Sequence, residues 1–433
     1  MNKIISFSLL LLLITGCSFN QSSKFWTKTE IIQEENKTNI EKIFVEEEAL
    51  SQEFNPDLKI DLKIDSVKNN FNKDYNNPGT SYFDNDLKDI SKYKFSKIDN
   101  FEQYEPEILF HQNNLIFFDN KGSILKFNEK KNLIWKKNYY SKSEKKFKPI
   151  LQFASNENFL VVADNVAKIY KVDLNTGELI WSTSNDAPFN SQIKIFKDKF
   201  FIIDFSNTLR CYSLEDGSEL WSVNTQNTLI RSKKKLSLVI IDDKVIFNNS
   251  IGDISAVNLN NGQLLWQLPT QSTLIFESAF SLKNSNIVSD GKNLIFSNNK
   301  NQMFSIDISS GSFNWEAKVN SSIAPIIVDN LIFTVSFEGY LILIEKKSGN
   351  IIKVTDIFDG FQSDDRKNIL PTGFVIGLNK IYVSTNIGRL LIIEINSGKT
   401  ISTLKIDNKS ISKPFILNDS LFVAKDNAII KIN

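Results

Sequence analysis

Histidine occurs once in the 433 residues, cysteine twice, and glycine and proline only 16 and 9 times. A single His111 excludes a multi-histidine metal site, and its setting in LFHQNNLIFF suits a strand end or turn better than a catalytic base. Cys17 lies in the N-terminal leader, so once it is modified Cys211 has no intrachain disulfide partner; in the strand-like LRCYSL it reads as a small buried hydrophobe. The scarcity of glycine and proline argues against a low-complexity chain, while 41% hydrophobic residues suffice for a packed fold. Charge of one sign is also missing: 51 basic and 50 acidic residues leave a net charge of +1, which gives no global attraction to nucleic acid, and no nucleic-acid partner is expected. The carboxylate pairs Asp242-Asp243 in IIDDKVIF and Asp364-Asp365 in FQSDDRKN read as a hairpin turn and a surface loop. Neither is assigned a catalytic role, and no catalytic residue, metal or cofactor is expected.

What the chain does have is one phrase repeated along its length: a short apolar strand, a turn closed by glycine, then apolar residues ending in tryptophan. It reads KIYKVDLNTGELIW at 168–181, TLRCYSLEDGSELW at 208–221, DISAVNLNNGQLLW at 253–266 and QMFSIDISSGSFNW at 302–315. It recurs without tryptophan at 340–354 and 389–403, and with a shorter loop lacking glycine at 123–135. Gly177, Gly217, Gly262, Gly311, Gly349 and Gly398 are 40, 45, 49, 38 and 49 residues apart. A period of that size points to four strands per unit in a radial array. Glycine supplies the positive φ that a tight hairpin needs, so each phrase is the last hairpin of a blade. Trp135, Trp181, Trp221, Trp266 and Trp315 are expected to pack between neighbouring blades, each covering roughly 150–250 Å².

The final segment, 413–433, has the strands that precede a glycine turn but stops before an outer strand. An open edge would leave a row of unpaired backbone groups. The missing strand should therefore come from SKYKFSK at 91–97, ahead of the first repeat. The expected fold is all-β, an eight-bladed propeller of four-stranded blades over 91–433, closed by an N-terminal strand, with about 43 residues per blade.

Residues 1–16 read as a signal peptide: a basic start at Asn2-Lys3, an apolar run from Ile4 to Ile14 too short to span a bilayer permanently, then Thr15-Gly16-Cys17. Ile14-Thr15-Gly16-Cys17 resembles the lipobox of bacterial lipoproteins, which implies lipidation of Cys17, a membrane partner through the lipid anchor, and, with Ser18 rather than Asp next, sorting to the outer membrane. Residues 17–90 are rich in Asn, Lys, Glu, Asp and Ser and are expected to form a flexible polar tether. Within it, 40–50 suits a short helix and 58–65 a strand, either of which could dock on the propeller.

The phrase clearest at 173–181 and 258–266 is similar to the repeat of pyrroloquinoline quinone (PQQ)-type propellers. Joined to a lipobox and eight blades, it resembles the BamB-type lipoproteins of the outer-membrane β-barrel assembly machinery. That resemblance implies a non-catalytic periplasmic scaffold binding a POTRA domain of the barrel-inserting subunit, with unfolded outer-membrane proteins as further partners. It also implies that Ile230 and Arg231, in the loop after Trp221, contact that partner. An acidic pair that the family carries in the next blade is missing near Ser281-Leu282-Lys283. The alternatives are a PQQ-dependent quinoprotein dehydrogenase, whose ligand set and adjacent cysteines are not found here, or another propeller adaptor of the cell envelope.

Overall fold

The computed structural model describes residues 49–60, 62, 75–103, 106–225, 232, 234–270 and 282–433. They form eight sheets of four antiparallel strands each, an eight-bladed β-propeller. Seven blades are consecutive in sequence. Blade I begins with Leu109–His111 and ends with Leu133–Lys137; blade II runs from Leu151–Ser155 to Leu179–Ser184, and blade III from Lys194–Phe196 to Glu219–Asn224. Blade IV runs from Leu238–Ile241 to Leu264–Leu268, blade V from Val288–Ser289 to Phe313–Ala317, blade VI from Ile326–Val328 to Ile351–Asp356, and blade VII from Pro371–Ile376 to Thr400–Lys405. Blade VIII takes three strands from the C-terminus, Phe415–Leu417, Ser420–Lys425 and Ala428–Ile432, and its outer strand, Ile90–Lys94, from the N-terminal side. Tyr93 stands opposite Ile429 in that seal, so closure falls where the unpaired edge required it, one residue earlier than the sequence suggested.

Hydrophobic patterning follows radial position. Second strands such as Asn114–Phe118 and Lys199–Ile203 are buried at four successive positions, because neighbouring blades cover both faces. Outer strands such as Leu179–Ser184 and Glu219–Asn224 alternate instead between exposed and half-buried residues. In blades I to VII the pairing of third and outer strands shifts register at the same place. In blade III, Cys211 faces Trp221 but Tyr212 faces Glu219, skipping Leu220. Such a bulge rotates the residue after it. It turns Leu220, and likewise Ile180, Leu265 and Ile401, outward into solvent, while the following position points back toward the next blade.

In five blades that following position is tryptophan, and its ring lies on the turn glycine of the next blade. A Cβ added to Gly177, Gly217, Gly262, Gly311 or Gly349 would come within 2.5 to 2.9 Å of Trp135, Trp181, Trp221, Trp266 or Trp315 respectively. Four of these indoles also donate across the junction: Trp135 Nε1 to Leu174 O (3.3 Å), Trp181 to Leu214 O (3.1 Å), Trp266 to Ile308 O (3.0 Å) and Trp315 to Lys346 O (2.9 Å). At the seal Tyr93 takes this place, with its hydroxyl donating to Glu129 O and its ring edge-on to Phe127. Each of these five junctions combines apolar ring burial with a satisfied polar tip, whereas the buried Trp221 Nε1 has no hydrogen-bond partner among the described residues and that junction rests on ring packing alone.

Two parts of the stretch expected to be tether lie on the ring. Residues 51–60 run along the outer side of blades VI and VII, and no strand forms at 58–60. Residues 75–85 follow the inner wall: Asn76 donates to Leu238 O (2.9 Å) and Ile287 O (3.0 Å), Asn77 to Ile327 O (3.0 Å), Ser81 N to Ile376 O (2.9 Å) and Asn85 to Asp419 O (2.7 Å). Phe83 and Leu87 join the apolar cluster shared by blades VII and VIII. Residues 40–48, 61 and 63–65 lie outside the described residues.

Gly311 tests the junction. Its φ is +71°, and a Cβ there would lie 2.6 Å from Trp266 Cδ2. Gly311→Ala should destabilise the protein by about 2 kcal/mol or more, since the left-handed backbone alone costs an L-residue about 1–2 kcal/mol and the ring must also shift. Gly360→Ala, with nothing within 4 Å of the added carbon, should stay within about 0.5 kcal/mol of the parent in urea unfolding.

Candidate functional site

Antiparallel order puts all seven turns between third and outer strands on one face of the ring, and the connectors from one blade to the next on the other. The connectors after blades III and IV include 226–231 and 271–281, which lie outside the described residues, so Ile230 and Arg231 are not placed; neither is Cys17. The ends of the first connector are pinned. Thr225 Oγ1 donates to Asn207 O (3.4 Å), and Asn190 Nδ2 donates to Ser232 O (2.7 Å) and Lys234 O (3.1 Å). Past the second connector, Leu282 is buried and Lys283 N donates to Asn299 Oδ1 (2.7 Å). The described ends of these connectors are therefore held at fixed points on one face of the ring.

Inside the ring, side chains from blades distant in sequence converge. Lys235, at the entry to blade IV, reaches Glu107 Oε1 (3.0 Å), ahead of blade I, and Gln152 Oε1 (3.2 Å) on the inner strand of blade II. Lys194 of blade III donates to Asn76 Oδ1 (2.5 Å), whose amide in turn donates to Gln192 Oε1 (3.1 Å) and Ser237 Oγ (3.2 Å). Glu107 is surrounded by protein mass, yet 51% of its side-chain surface remains accessible within the channel. Burial pushes its carboxyl up, but Lys235, Lys413 and Lys194 pull it down further, to about 2. The arrangement is an ionic pin between the entries to blades I and IV, with Lys194 and Lys413 adding positive charge from blades III and VIII, and no single segment of sequence announces it.

The other candidate groups are committed to structure. His111 ends the first strand of blade I, buried, with Nε2 2.8 Å from Glu157 O. Cys211 is buried opposite Trp221, and burial pushes its thiol up to about 12, which leaves no thiolate at neutral pH. Asp242 and Asp243 occupy the exposed turn between Ile241 and Lys244, and Asp364 and Asp365 lie in the exposed one-turn helix Ser363–Arg366. A recurrent acid was missed in the sequence. Asp119, Asp164 and Asp204 each close the turn between second and third strands, accepting from two backbone amides, as Asp164 Oδ1 does from Val166 N (2.8 Å) and Lys168 N (2.9 Å). Burial raises the Asp164 carboxyl, and the Tyr140 hydroxyl donates to its other oxygen, so this acid too is spent on holding a turn. Among the described residues no group of three or more His, Cys, Asp or Glu side chains is arranged to hold a metal ion.

The Glu107 pin predicts an acid sensitivity. A carboxyl held below its ordinary value of 4.5 stabilises the fold above that pH, and the contribution is lost as pH falls from about 4.5 toward about 2. Because half the side chain is accessible, screening reduces the effect to the order of 1 kcal/mol. Glu107→Gln should be less stable than the parent at pH 7, and the difference should shrink through that window when thermal midpoints are compared.

The family model described as outer membrane protein assembly factor BamB matches residues 120–355. Among solved structures, BamB from Moraxella catarrhalis superposes with a TM-score of 0.62 at 16% identity, covering 79% of this chain and 100% of its own. The computationally designed Ika8 protein gives 0.59 at 13% identity, covering 78% and 99%. Sqt1 from Saccharomyces cerevisiae gives 0.59 at 12%, covering 79% and 99%. At such identities these likenesses speak for the propeller fold alone, and no curated protein matches the sequence. The family match takes in more than half of the 433 residues and the blades that carry the Trp-Gly junctions, and on that ground the chain belongs to the family of the outer-membrane protein assembly factor BamB.

Proposed function

We propose that the chain is a non-catalytic scaffold lipoprotein on the periplasmic face of the outer membrane, where it binds the POTRA region of the barrel-inserting subunit and assists insertion of outer-membrane proteins. The family match over 120–355 carries the reading, and the lipobox-like Ile14-Thr15-Gly16-Cys17 supports an anchored, exported protein. The connector face suits a scaffold. It offers loops of unrelated sequence held at fixed points by a rigid ring, and binding residues are commonly found on loops so positioned. In this reading Ile230 packs against the partner and Arg231 pairs with one of its carboxylates, while unfolded outer-membrane proteins are a further class of client.

The test of the whole reading is recovery of the barrel-inserting subunit when the native lipoprotein is captured from detergent-solubilised membranes. Recovery of a different complex would replace it. Arg231→Glu should weaken that association by about 2 kcal/mol, roughly thirtyfold, with the circular dichroism and melting temperature of the propeller unchanged. Undiminished association of the folded variant would move the contact elsewhere on the ring.

Anchoring is tested separately. Cys17→Ser should abolish acyl labelling and release the protein from the membrane fraction while the propeller still folds, because Cys17 lies far outside the repeats. Retained labelling and retained membrane association would remove the lipoprotein assignment without touching the scaffold reading.

A further inference from the structure

The junction between blades VI and VII lacks the tryptophan that bolts the five junctions before it. Four residues after the turn glycine, where Trp181, Trp221, Trp266 and Trp315 stand, blade VI has Lys353. The corresponding glycine of blade VII, Gly398, meets Thr355 instead of an indole. Lys353 is nevertheless fully buried, and burial depresses its ammonium. A lysine there needs compensating acceptors, and they come from neither blade. Lys353 Nζ donates to Pro56 O (2.6 Å) and Leu58 O (2.7 Å), both from a segment almost 300 residues away in sequence.

The same segment is fastened on both sides of this contact. Phe54 and Val354 exchange two backbone hydrogen bonds, Phe54 N to Val354 O (3.1 Å) and Val354 N to Phe54 O (2.9 Å), so the edge of blade VI's outer strand is extended by one antiparallel bridge. Asn55 Nδ2 donates to Ile352 O (3.1 Å), the Tyr340 hydroxyl to Ser51 O (2.8 Å), and Asp356 N to Glu53 Oε1 (3.0 Å). Farther along, Ile60 N donates to Asn396 O (3.0 Å) in the turn of blade VII, and the Ile60 side chain is buried in the apolar cluster that these two blades share. The path crosses from one blade to the next, as each tryptophan does elsewhere.

We propose that the blade VI–VII junction is a peptide-docking seat keyed by Lys353, and that residues 51–60 of the same chain are its occupant, a strap that joins the two blades in place of the inter-blade tryptophan. The seat selects a segment that bends after one backbone bridge to the Val354 edge: a turn closed by Leu58 N on Asn55 O (3.1 Å) presents two carbonyls two residues apart to the Lys353 ammonium, and an aliphatic side chain after them enters the shared core. The folded unit accordingly reaches well upstream of the closing strand. This inference concerns the ring alone and stands whether or not the chain serves outer-membrane assembly.

Hydrogen exchange on the full chain tests it first. The amides of Phe54 and Val354 should exchange at least about tenfold more slowly than in an unstructured peptide; exchange at the unstructured rate would overturn the proposal. Lys353→Met should speed exchange at Phe54 while leaving the amides of blade II unchanged. In a second variant, Phe54–Ile60 is replaced by glycine and serine at equal length. The melting temperature should fall by several degrees, and a fluorescent synthetic peptide of residues 49–62 added in trans should bind saturably. Adding Lys353→Trp to that variant should recover the lost stability by restoring the indole-on-glycine contact at Gly398, and should weaken peptide binding at least about tenfold. An unchanged melting temperature in the glycine-serine variant, or a folded variant that does not bind the peptide, would show that 51–60 merely lies on the surface.

Discussion

The contact of an indole with the turn glycine of the next blade is the constraint on which the ring depends. A four-stranded blade is too narrow to bury both faces, and the ring holds only if each sheet is pinned to its neighbour at the rim as well as packed against it nearer the axis. The tryptophan does this with one side chain because three local features agree. The bulge before it turns it toward the next blade, the glycine opposite has no Cβ to obstruct the ring, and in four of the five cases the carbonyl three residues before that glycine accepts the indole N–H. Losing a large buried aromatic costs about 3–5 kcal/mol, against a total stability of about 5–15 kcal/mol for a typical domain. No single junction is therefore incidental, and the absence of tryptophan at Lys353 and Ser402 calls for a physical substitute.

That substitute is the N-terminal stretch, which reaches the ring where the repeat is weakest. Residues 51–60 lie over blades VI and VII, Phe83 and Leu87 enter the core between blades VII and VIII, and Tyr93 completes the junction between blades VIII and I. Between the strap and the seal, Asn76 and Asn77 bond the inner strands of blades IV to VI with their side-chain amides. The repeats from Leu109 to Ala317 thus hold one another by a shared local rule, whereas the last three blades are held by a segment from the opposite end of the sequence. Non-local pairing of this kind closes late, since the loop entropy must be overcome before the contact rewards it.

The eight blades, the closing strand and the packing of the tryptophans were legible in the sequence because each rests on a local pattern repeated at a fixed period. The docking of 75–89 was not, and within 51–60 only the possibility that 58–65 docks was, as a strand that 58–60 do not form. Such docking is usually signalled by apolar side chains, and here much of the binding is done by backbone carbonyls and asparagine amides, which look the same in a tether. Asn76 finds its partners 116 to 211 residues away, and no feature of DYNNPG announces them. The turn acids were within reach: Asp119, Asp164 and Asp204 recur 45 and 40 residues apart, the second step equal to that from Gly177 to Gly217, and a spacing at the blade period marks a structural acid rather than a catalytic one. Glu107, Lys194, Lys235 and Lys413 carry no period at all, because each comes from a different kind of segment and only ring closure brings them together.

These features divide the ring between two kinds of work. The rim and the inner wall spend their polar groups on holding blades together: Asp164 on its turn, Lys353 on two carbonyls, Glu107 on the lysines around it. A group so committed is poorly suited to chemistry, since a general acid or base must be able to exchange its proton with a substrate within hydrogen-bond reach. The connectors on the opposite face from the glycine turns are tied down at particular residues, Tyr140 on Asp164 and Phe189 and Phe358 in the core among them. The described ends of the connectors after blades III and IV are fixed by Asn190, Thr225 and Asn299. A ring with connector ends held at fixed points on one face is the frame that the proposed recognition of a protein surface needs. Likeness of fold at only 16% identity is in keeping with this, since a propeller is specified by a few local features repeated at a fixed period and most surface positions are left unconstrained.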